Sequence, residues 1–280
     1  MMRSLLYVPA SSERFIAKAH ERGADAVILD LEDAVAPADK GAARAALAEA
    51  VPSVRRSGVR VFVRVNNHAD LLAEDATAAV RAGADGVVLP KTESPNDLAD
   101  LAMILERAEG TGRPATRVIA LIESPGAVLD ARVIARGPRL MGMMGGGEDL
   151  ALAMDAQPSP EVLRLPKLLV HYAAKAEGLL SFGLLRSVAD YADHEAIRAA
   201  AVEARTFGFD GATCVHPAIV PLLNAAFSPS PAELDWARRV VEAARTEQGA
   251  FAVDGRMVDA PVIQRARRLL EQARDYSPPP

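Results

Sequence analysis

Acidic side chains that follow two predicted strands could together bind a metal ion. Glu123 follows the apolar run 118–122, and Glu148 and Asp149 follow the run 140–144 and three glycines. The carboxyl ends of neighbouring parallel strands meet at one edge of a sheet, so these carboxylates would converge. A few hard oxygen ligands, with other positions left to water and substrate, suit Mg²⁺ rather than zinc. Each acid could instead cap the helix after it, but two such positions, each beside Gly or Pro, favour a metal site.

Polar residues also follow most of the other predicted strands. They are Asp30, Glu32 and Asp33 after the second strand, Arg64, Asn66 and Asn67 at the third, Lys91 at the fourth and His216 at the eighth. Buried strand ends that carry charge are costly unless the charges pair with each other or hold a ligand. This pattern therefore predicts an active site at the carboxyl ends of the strands.

Simpler structural roles are open for several of these residues. Arg64 could be only a structural ion-pair partner of Glu32 or Asp33, and Lys91 could tie loops to an acid. His216 could be a loop histidine with satisfied hydrogen bonds. Cys214 is expected in the barrel interior, with no flanking base to activate it, and the segment 265–268 on a solvated helix face.

Short apolar runs alternate with amphipathic segments along most of the chain. Eight strands are predicted, at residues 4–8, 26–29, 60–65, 86–89, 118–122, 140–144, 179–182 and 212–215. Helical patterns lie between them, including residues 13–22, 40–50, 69–82, 94–108 and 193–207. Runs that are apolar on both faces are typical of parallel strands covered by helices. No Gly-x-Gly-x-x-Gly follows the first strand, so a dinucleotide fold is disfavoured. Eight βα units predict an α/β fold, a (β/α)₈ TIM barrel.

The pattern changes after residue 217. A helix is predicted over residues 232–248, then a hairpin over 250–258 with its turn at Asp254 and Gly255, and a last helix over 261–276. We therefore expect a catalytic barrel domain at 1–217 and a C-terminal extension with a helical and hairpin lid at 218–280. The tail 277–280 is expected to be disordered.

Composition excludes several classes of function. The 280 residues carry a net charge of −5 with a pI near 5.6, without the basic footprint that nucleic-acid binding requires. Cys214 is the one cysteine, so an intrachain disulfide and a cysteine-based zinc cluster are excluded. The first residues are too short an apolar run for a signal peptide and no membrane span is evident. We expect a cytoplasmic protein with no nucleic-acid or membrane partner.

Ten short sequence motifs are spread over nearly the whole chain. They are residues 3–11, 28–35 with Lys40 and 43–44, 63–66, 89–91, 122–123, 147–150, 208–211, 215–217, 227–230 and 255–259. On these motifs the chain resembles the citrate lyase β-subunit-like family, which includes the malyl-CoA and citramalyl-CoA lyases of the HpcH/HpaI aldolase superfamily.

The resemblance implies a role for individual residues. Glu123 and Asp149 would bind Mg²⁺, with Glu123 also near the substrate, and Arg64 would hold a substrate carbonyl or carboxylate. Tyr7, Ser12 and Lys18 fall where related lyases contact CoA, with Arg14 as a near alternative. Asp259 matches an aspartate on a C-terminal lid that often covers a neighbouring subunit's site, which implies a homo-oligomer, a trimer or a hexamer. One departure is residues 181–183, Ser-Phe-Gly, where similar proteins tend to carry an Ile-Asp-like pair.

The expected activity is a carbon–carbon lyase of the oxo-acid-lyase type. It would use Mg²⁺ to cleave a 3-hydroxyacyl-CoA thioester such as malyl-CoA or citramalyl-CoA into acetyl- or propionyl-CoA and a keto acid. Glu32 and Asp33 could position water or act as a base, and Asp259 could exchange a proton with the enolate carbon. Two alternatives stay open: a thioesterase of the malyl-CoA type, and a citrate lyase β subunit that acts on a citryl thioester of an acyl carrier protein.

Overall fold

Eight parallel strands form a barrel that is nearly closed. The computed structural model describes residues 2–112, 114–189, 191–247 and 249–275. The barrel strands are β1 (Ser4–Pro9), β2 (Ala26–Asp30), β3 (Arg60–Arg64), β4 (Gly86–Leu89), β5 (Arg117–Ile122), β6 (Leu140–Gly145), β7 (Leu180–Phe182) and β8 (Ala212–Cys214). They pair in the order β7-β6-β5-β4-β3-β2-β1-β8. The predicted (β/α)₈ barrel is thus confirmed, with each strand bounded within one residue of its prediction.

The seam between β7 and β8 is the least regular part of the barrel. Phe182 and Gly211 form an isolated parallel bridge. The Gly183 N–H donates to Gly211 O over 2.9 Å, and the Asp210 N–H donates to Ser181 O over 2.9 Å. These few hydrogen bonds close the ring.

Alternate residues of the strands fill the barrel interior. Leu5, Ile28, Phe62, Val88 and Ile119 belong to one buried apolar cluster that Met144 and Phe182 extend. The intervening strand residues, such as Val27 and Leu29, are also fully buried. Both faces of each strand are therefore covered, as the continuous apolar runs predicted.

Helices follow the strands as a (β/α) barrel requires. They are α1 (Glu13–Ala19), α2 (Lys40–Arg55), α3 (Ala69–Ala82), α4 (Pro95–Glu109), α5 (Pro125–Leu129), α6 (Ala131–Ile134), α7 (Glu148–Ala153), α8 (Pro160–Ala176), α9 (His194–Phe207), α10 (Val220–Phe227), α11 (Pro231–Ala243) and α12 (Ala260–Asp275). Short 3₁₀ turns lie at Pro37–Asp39 and Pro217–Ile219.

Several of these helices differ from the sequence prediction, and the first, expected to reach residue 22, ends at Ala19 as α1. The second helix was expected to end at Ala50, but α2 continues through Pro52 to Arg55. Val51 and Val54 are fully buried there, so burial of the apolar face outweighs the hydrogen bond that Pro52 cannot donate. The long helix α8 was not among the predicted segments, and it too contains a proline, Pro166.

The chain divides into two compact units, Met2–Asn224 and the part from Ala225 onward. In the second unit α11, α12 and a hairpin of β9 (Phe251–Val253) and β10 (Arg256–Val258) surround a small core that includes Ala237, Val240 and Ala266. Asp254 and Gly255 have φ of 51° and 75°, which confirms the predicted turn.

The ends of the C-terminal helices were predicted less well. The helix expected to reach Gln248 ends at Ala243 as α11, and Gln248 lies outside the described residues. Tyr276 and the tail 277–280 also lie outside them. Within the described parts of the chain, every helix is too short or too polar to cross a membrane.

Candidate active site

A cavity of about 440 Å³ lies at the carboxyl ends of the barrel strands. Its volume is within the range of small-molecule sites. Charged side chains contributed by five different elements line it: Asp30, Asp33, Arg64, Glu123, Glu148, Asp149 and Lys167. The barrel therefore brings most of the predicted site residues to one place.

Arg64, the last residue of β3, is held by three carboxylates of the neighbouring β2 end. Its Nε and Nη2 donate to the two carboxylate oxygens of Asp30 over 2.7 and 2.6 Å. Its Nη1 lies 2.6 Å from Glu32 Oε2 and 3.3 Å from Asp33 Oδ2. Burial by itself lowers the pKa of the guanidinium, but the hydrogen bonds and charge of Asp30 outweigh it, so the pKa is raised. Arg64 is thus a fixed cation at the cavity wall.

Asp30 is the carboxylate that the sequence reasoning underrated. It pairs in register with Arg64 across β2 and β3, and it also accepts the backbone N–H of Glu32 over 2.9 Å. This bidentate pair orients the guanidinium plane. The Asp30 oxygens are committed to these donors, although Asp30 and Asp33 both line the cavity.

Glu32 and Lys91 form a second ion pair, in which Glu32 is buried and Lys91 is half-exposed. Lys91 Nζ donates to Glu32 Oε1 over 2.6 Å and lies 3.9 Å from Asp33 Oδ1. Burial raises the pKa of the Glu32 carboxyl, and Arg64 and Lys91 oppose that shift. Lys91 therefore links the loop after β4 to Glu32 in the loop after β2, in agreement with the structural role considered for it from the sequence.

Lys91 has an unusual backbone that serves a neighbouring carboxylate. Its φ is 48°, which is uncommon for a residue other than glycine. In this conformation its backbone N–H donates to Glu123 Oε2 over 2.7 Å. One residue thus contacts the acids at the ends of β2 and β5, with its side chain and its main chain respectively.

Glu123 and Asp149 form a carboxylate pair in the cavity. Burial, together with the charges of Asp149 and Glu32, raises the pKa of Glu123 to about 8, although the Lys91 N–H opposes the shift. A Cβ at Gly146 would lie 2.6 Å from Glu123 Cγ, so only glycine permits this approach. Ser124, not Glu123, caps α5 by accepting the Ala127 N–H over 3.1 Å. The capping interpretation of Glu123 is therefore wrong.

The pair is chemically suited to a divalent cation. Two neighbouring acids repel each other as anions, and a divalent cation between them removes that repulsion. Among the described residues, no group of three His, Cys, Asp or Glu side chains is arranged to hold a metal. Glu123 and Asp149 would thus supply two oxygen ligands and leave positions open, as Mg²⁺ prefers.

Lys167 on α8 is a cavity residue that the sequence reasoning missed. It is 4% exposed, and its Nζ donates to Arg186 O over 3.0 Å. Burial lowers the pKa of its ammonium to about 8, against the charge of Glu148. Glu148 makes no ion pair with Lys167 among the described residues; its carboxylate accepts a hydrogen bond from the Ser187 hydroxyl.

Tyr7 on β1 also lines the cavity. The Arg64 guanidinium lies 5.1 Å from the centre of its ring, a cation–π contact. The Tyr7 hydroxyl lies 3.9 Å from Met144 Sδ. Burial raises the pKa of this hydroxyl, so it remains protonated.

Three predicted site residues of the barrel unit, Glu32, Ser12 and Lys18, are not among the residues that line the cavity. Ser12 precedes α1 without a side-chain capping hydrogen bond, and Lys18 is exposed on that helix. Asp259 lies in the second unit between β10 and α12, where its Oδ1 accepts the Val262 N–H over 3.3 Å. Their predicted roles stay predictions.

The simpler interpretations of three other residues are confirmed. His216 accepts the Ala218 N–H over 3.2 Å and stacks on Tyr191. Cys214 is buried, and burial raises the pKa of its thiol to about 12. Arg265, Arg267 and Arg268 are exposed on α12.

The backbone conformation at the end of β7 requires glycine at position 183. Its φ is 146°, a region that side chains rarely adopt, and its N–H closes the barrel seam. A Cβ would meet nothing closer than Phe209 at 3.8 Å, so conformation rather than space demands glycine.

We expect Gly183→Ala to lower the free energy of unfolding by about 1–3 kcal/mol, because alanine is strained at this φ. Chemical denaturation would measure it. Gly41→Ala on α2 is the control and should be neutral or stabilising, since its added Cβ meets nothing and Ala favours helix. Equal stability of Gly183→Ala and the wild type would contradict the conformational explanation.

The family follows from comparison with known proteins. Residues 3–217 match the HpcH/HpaI aldolase/citrate lyase family. The chain belongs to this family. The family resemblance is thereby confirmed, and with it membership of an enzyme family of carbon–carbon lyases.

Relatives in the HpcH/HpaI aldolase/citrate lyase family match over nearly their whole length. A citrate lyase subunit beta of Haemophilus influenzae is 34% identical over 287 residues, which cover 98% of this chain and 97% of the relative. A (3S)-malyl-CoA thioesterase of Cereibacter sphaeroides is 37% identical over 278 residues, with 97% and 94% covered. The crystal structure of protein CitE from Mycobacterium tuberculosis with magnesium, acetoacetate and coenzyme A is 36% identical, with a TM-score of 0.81 and 97% and 98% covered.

Proposed function

We propose that this protein is a Mg²⁺-dependent lyase that cleaves a 3-hydroxyacyl-CoA thioester into a shorter acyl-CoA and a keto acid. The observation that carries this proposal is the carboxylate pair of the buried Glu123 and the partly buried Asp149, in one cavity with the fixed cation Arg64. A solved relative that binds magnesium, acetoacetate and coenzyme A supports it.

Glu123 and Asp149 are the residues that would hold Mg²⁺. When bound, the ion would lower the pKa of the substrate hydroxyl and polarise the keto group that forms. The Lys91 N–H fixes one Glu123 oxygen. That hydrogen bond orients the carboxylate and leaves its other oxygen for the ion.

Arg64 would stabilise the negative charge that develops on the thioester as the carbon–carbon bond breaks. Asp30 fixes its guanidinium, so little reorganisation is needed when the charge forms. Glu32 and Asp33 lie beside it, and Asp33 is the more exposed of the two. We assign them to accept the hydroxyl proton or to hold water at this edge of the cavity.

An apolar pocket of about 270 Å³ next to the cavity suits the thioester tail. It shares Tyr7, Pro9 and Val215 with the cavity wall and extends to Phe15, Ala19 and Arg22. These last three residues belong to α1 or follow it, the segment in which Ser12 and Lys18 were predicted to contact CoA. An apolar wall with one arginine at its rim matches a pantetheine chain that carries phosphates.

Two other activities could use the same residues. A thioesterase would direct water at the thioester, and a relative named (3S)-malyl-CoA thioesterase supports this candidate. A citrate lyase β subunit would take its substrate on an acyl carrier protein, and the relative named citrate lyase subunit beta supports that one.

Product analysis separates these activities. Purified protein with Mg²⁺ should be incubated with malyl-, methylmalyl-, citramalyl-, hydroxymethylglutaryl- and citryl-CoA. A keto acid with a shorter acyl-CoA indicates the lyase, whereas free CoA with an intact hydroxy acid indicates the thioesterase. Cleavage of no CoA ester, with cleavage of a citryl-acyl carrier protein, would favour the citrate lyase subunit.

Asp259 is proposed to act at a neighbouring subunit's barrel in a homo-oligomer. Asp259→Asn and Glu123→Ala should each be inactive alone, but mixing them under conditions of subunit exchange should restore part of the activity. In a mixed oligomer, the barrel of an Asp259→Asn subunit, which keeps Glu123, could then be completed by Asp259 of a Glu123→Ala subunit. Asp254→Asn, in the turn of the same hairpin, is the control and should remain active. If exchange is demonstrated without recovery, Asp259 serves its own barrel or has no catalytic role.

A further inference from the structure

Lys167 has the surroundings of a ligand-binding group. Its side chain lies on α8 and reaches the cavity past the end of β6, where Gly145 leaves room for it. A Cβ at Gly145 would lie 3.3 Å from Lys167 Cγ. The Lys167 side chain therefore packs against Gly145 as it extends to the cavity, and a larger residue at position 145 would crowd it.

The ammonium is only partly satisfied by the protein. An ammonium has three N–H donors, and the described residues offer Lys167 Nζ one hydrogen-bond acceptor, Arg186 O. Within the described residues, no carboxylate lies within ion-pair distance of it. A buried charge that lacks a counterion is costly, so this position favours an anion supplied by a ligand.

The other charges of the cavity are already matched. Arg64 is paired with Asp30, Glu32 and Asp33. Glu148 accepts the Ser187 hydroxyl, and Glu123 and Asp149 are the proposed cation ligands.

We propose that Lys167 binds a second carboxylate of the substrate, on the half that leaves as the keto acid. This inference rests on the proposed function, in which the first carboxylate lies beside the reacting hydroxyl. The preferred substrate class is then a hydroxyacyl thioester with two free carboxylates, whose keto-acid product is a dicarboxylate. Thioesters that yield a monocarboxylic keto acid would leave the Lys167 ammonium without its partner.

Binding of two keto acids tests the subsite without requiring turnover. Oxaloacetate and pyruvate differ by the second carboxylate, and their affinities for the wild type with Mg²⁺ can be compared by calorimetry with freshly dissolved ligand. We expect oxaloacetate to bind about tenfold or more tightly, the size of effect that a charge-assisted hydrogen bond gives. Lys167→Gln should remove this preference and leave pyruvate binding unchanged.

The variants separate a binding role from a structural one. Gln keeps an N–H donor for Arg186 O but loses the charge, and Lys167→Arg keeps the charge if Lys167→Gln does not fold. Lys175→Met, on the same helix but paired with Asp210 outside the cavity, should keep the preference. Circular dichroism and thermal melting report folding of each variant.

Three results would contradict the inference that Lys167 binds a second carboxylate. If Lys167→Gln weakens both ligands equally, Lys167 contacts the shared carboxylate or supports the site structurally. If neither affinity changes, Lys167 only holds the Arg186 carbonyl. A wild type without preference overturns the subsite whether or not it cleaves thioesters, whereas a preference without cleavage of any thioester overturns the proposed function alone.

Discussion

Glu123→Gln and Asp149→Asn should each abolish Mg²⁺-dependent cleavage, with turnover lower by about three orders of magnitude or more. Loss of the ion forfeits several kcal/mol of charge stabilisation, and each 1.4 kcal/mol is worth about tenfold in rate. Without metal, each variant should be as stable as the wild type or more so, because the repulsion between the two neighbouring acids is removed.

Thermal melting with and without Mg²⁺ measures the metal site independently of turnover. The wild type should melt at a higher temperature with Mg²⁺, and neither variant should show this shift. Glu93→Gln is the matched control. Glu93 is an exposed acid that follows β4, and it accepts a hydrogen bond from the Ser124 hydroxyl. If both variants retain metal-dependent activity and the Mg²⁺ shift, the ion binds elsewhere.

Arg64→Lys should lower turnover by about a hundredfold or more, and it should also lower the melting temperature because the buried Asp30 loses its bidentate partner. Lysine keeps a positive charge but lacks the planar fork that Asp30 grips through two hydrogen bonds. The charge would then be poorly placed against the thioester as the bond breaks, an effect comparable to losing an oxyanion-hole donor. Steady-state kinetics per folded molecule would measure this loss.

Arg44→Lys provides the comparison for a structural arginine. Arg44 makes an ion pair with the buried Asp75 over 2.8 Å in the helical layer, so its replacement should lower the melting temperature but not the turnover number. If Arg64→Lys behaves in the same way, the structural-partner interpretation of Arg64 is correct.

The sequence predicted the barrel well because each strand is a local feature. Residues such as Val27, Ile28 and Leu29 are consecutive, and all are buried as the apolar run indicated. Helix α8 was harder to predict, because Pro166 interrupts a pattern that only packing against the barrel makes helical.

The candidate site was predicted only in part because its pairings are tertiary. The positions of the strand ends indicated Glu123, Asp149 and Arg64. The sequence did not show that Asp30, rather than Glu32, forms two hydrogen bonds with Arg64, because that pairing depends on the register of β2 against β3. Lys167 carried no local signal, because a lysine on an amphipathic helix is ordinarily exposed. Its burial follows from the approach of α8 to Gly145.

The order of the strands has a consequence for the growing chain. β1 pairs with both β2 and β8, so Leu6 finds its partner Cys214 only after most of the protein has been synthesised. Until then β1 and β7 are open edges, and such edges can pair with other chains and aggregate. The three-residue strand β8 covers the edge of β1, and Gly211 just before it bridges to Phe182 of β7. A nascent chain released before Ala212 would thus be a substrate for chaperones rather than a smaller enzyme.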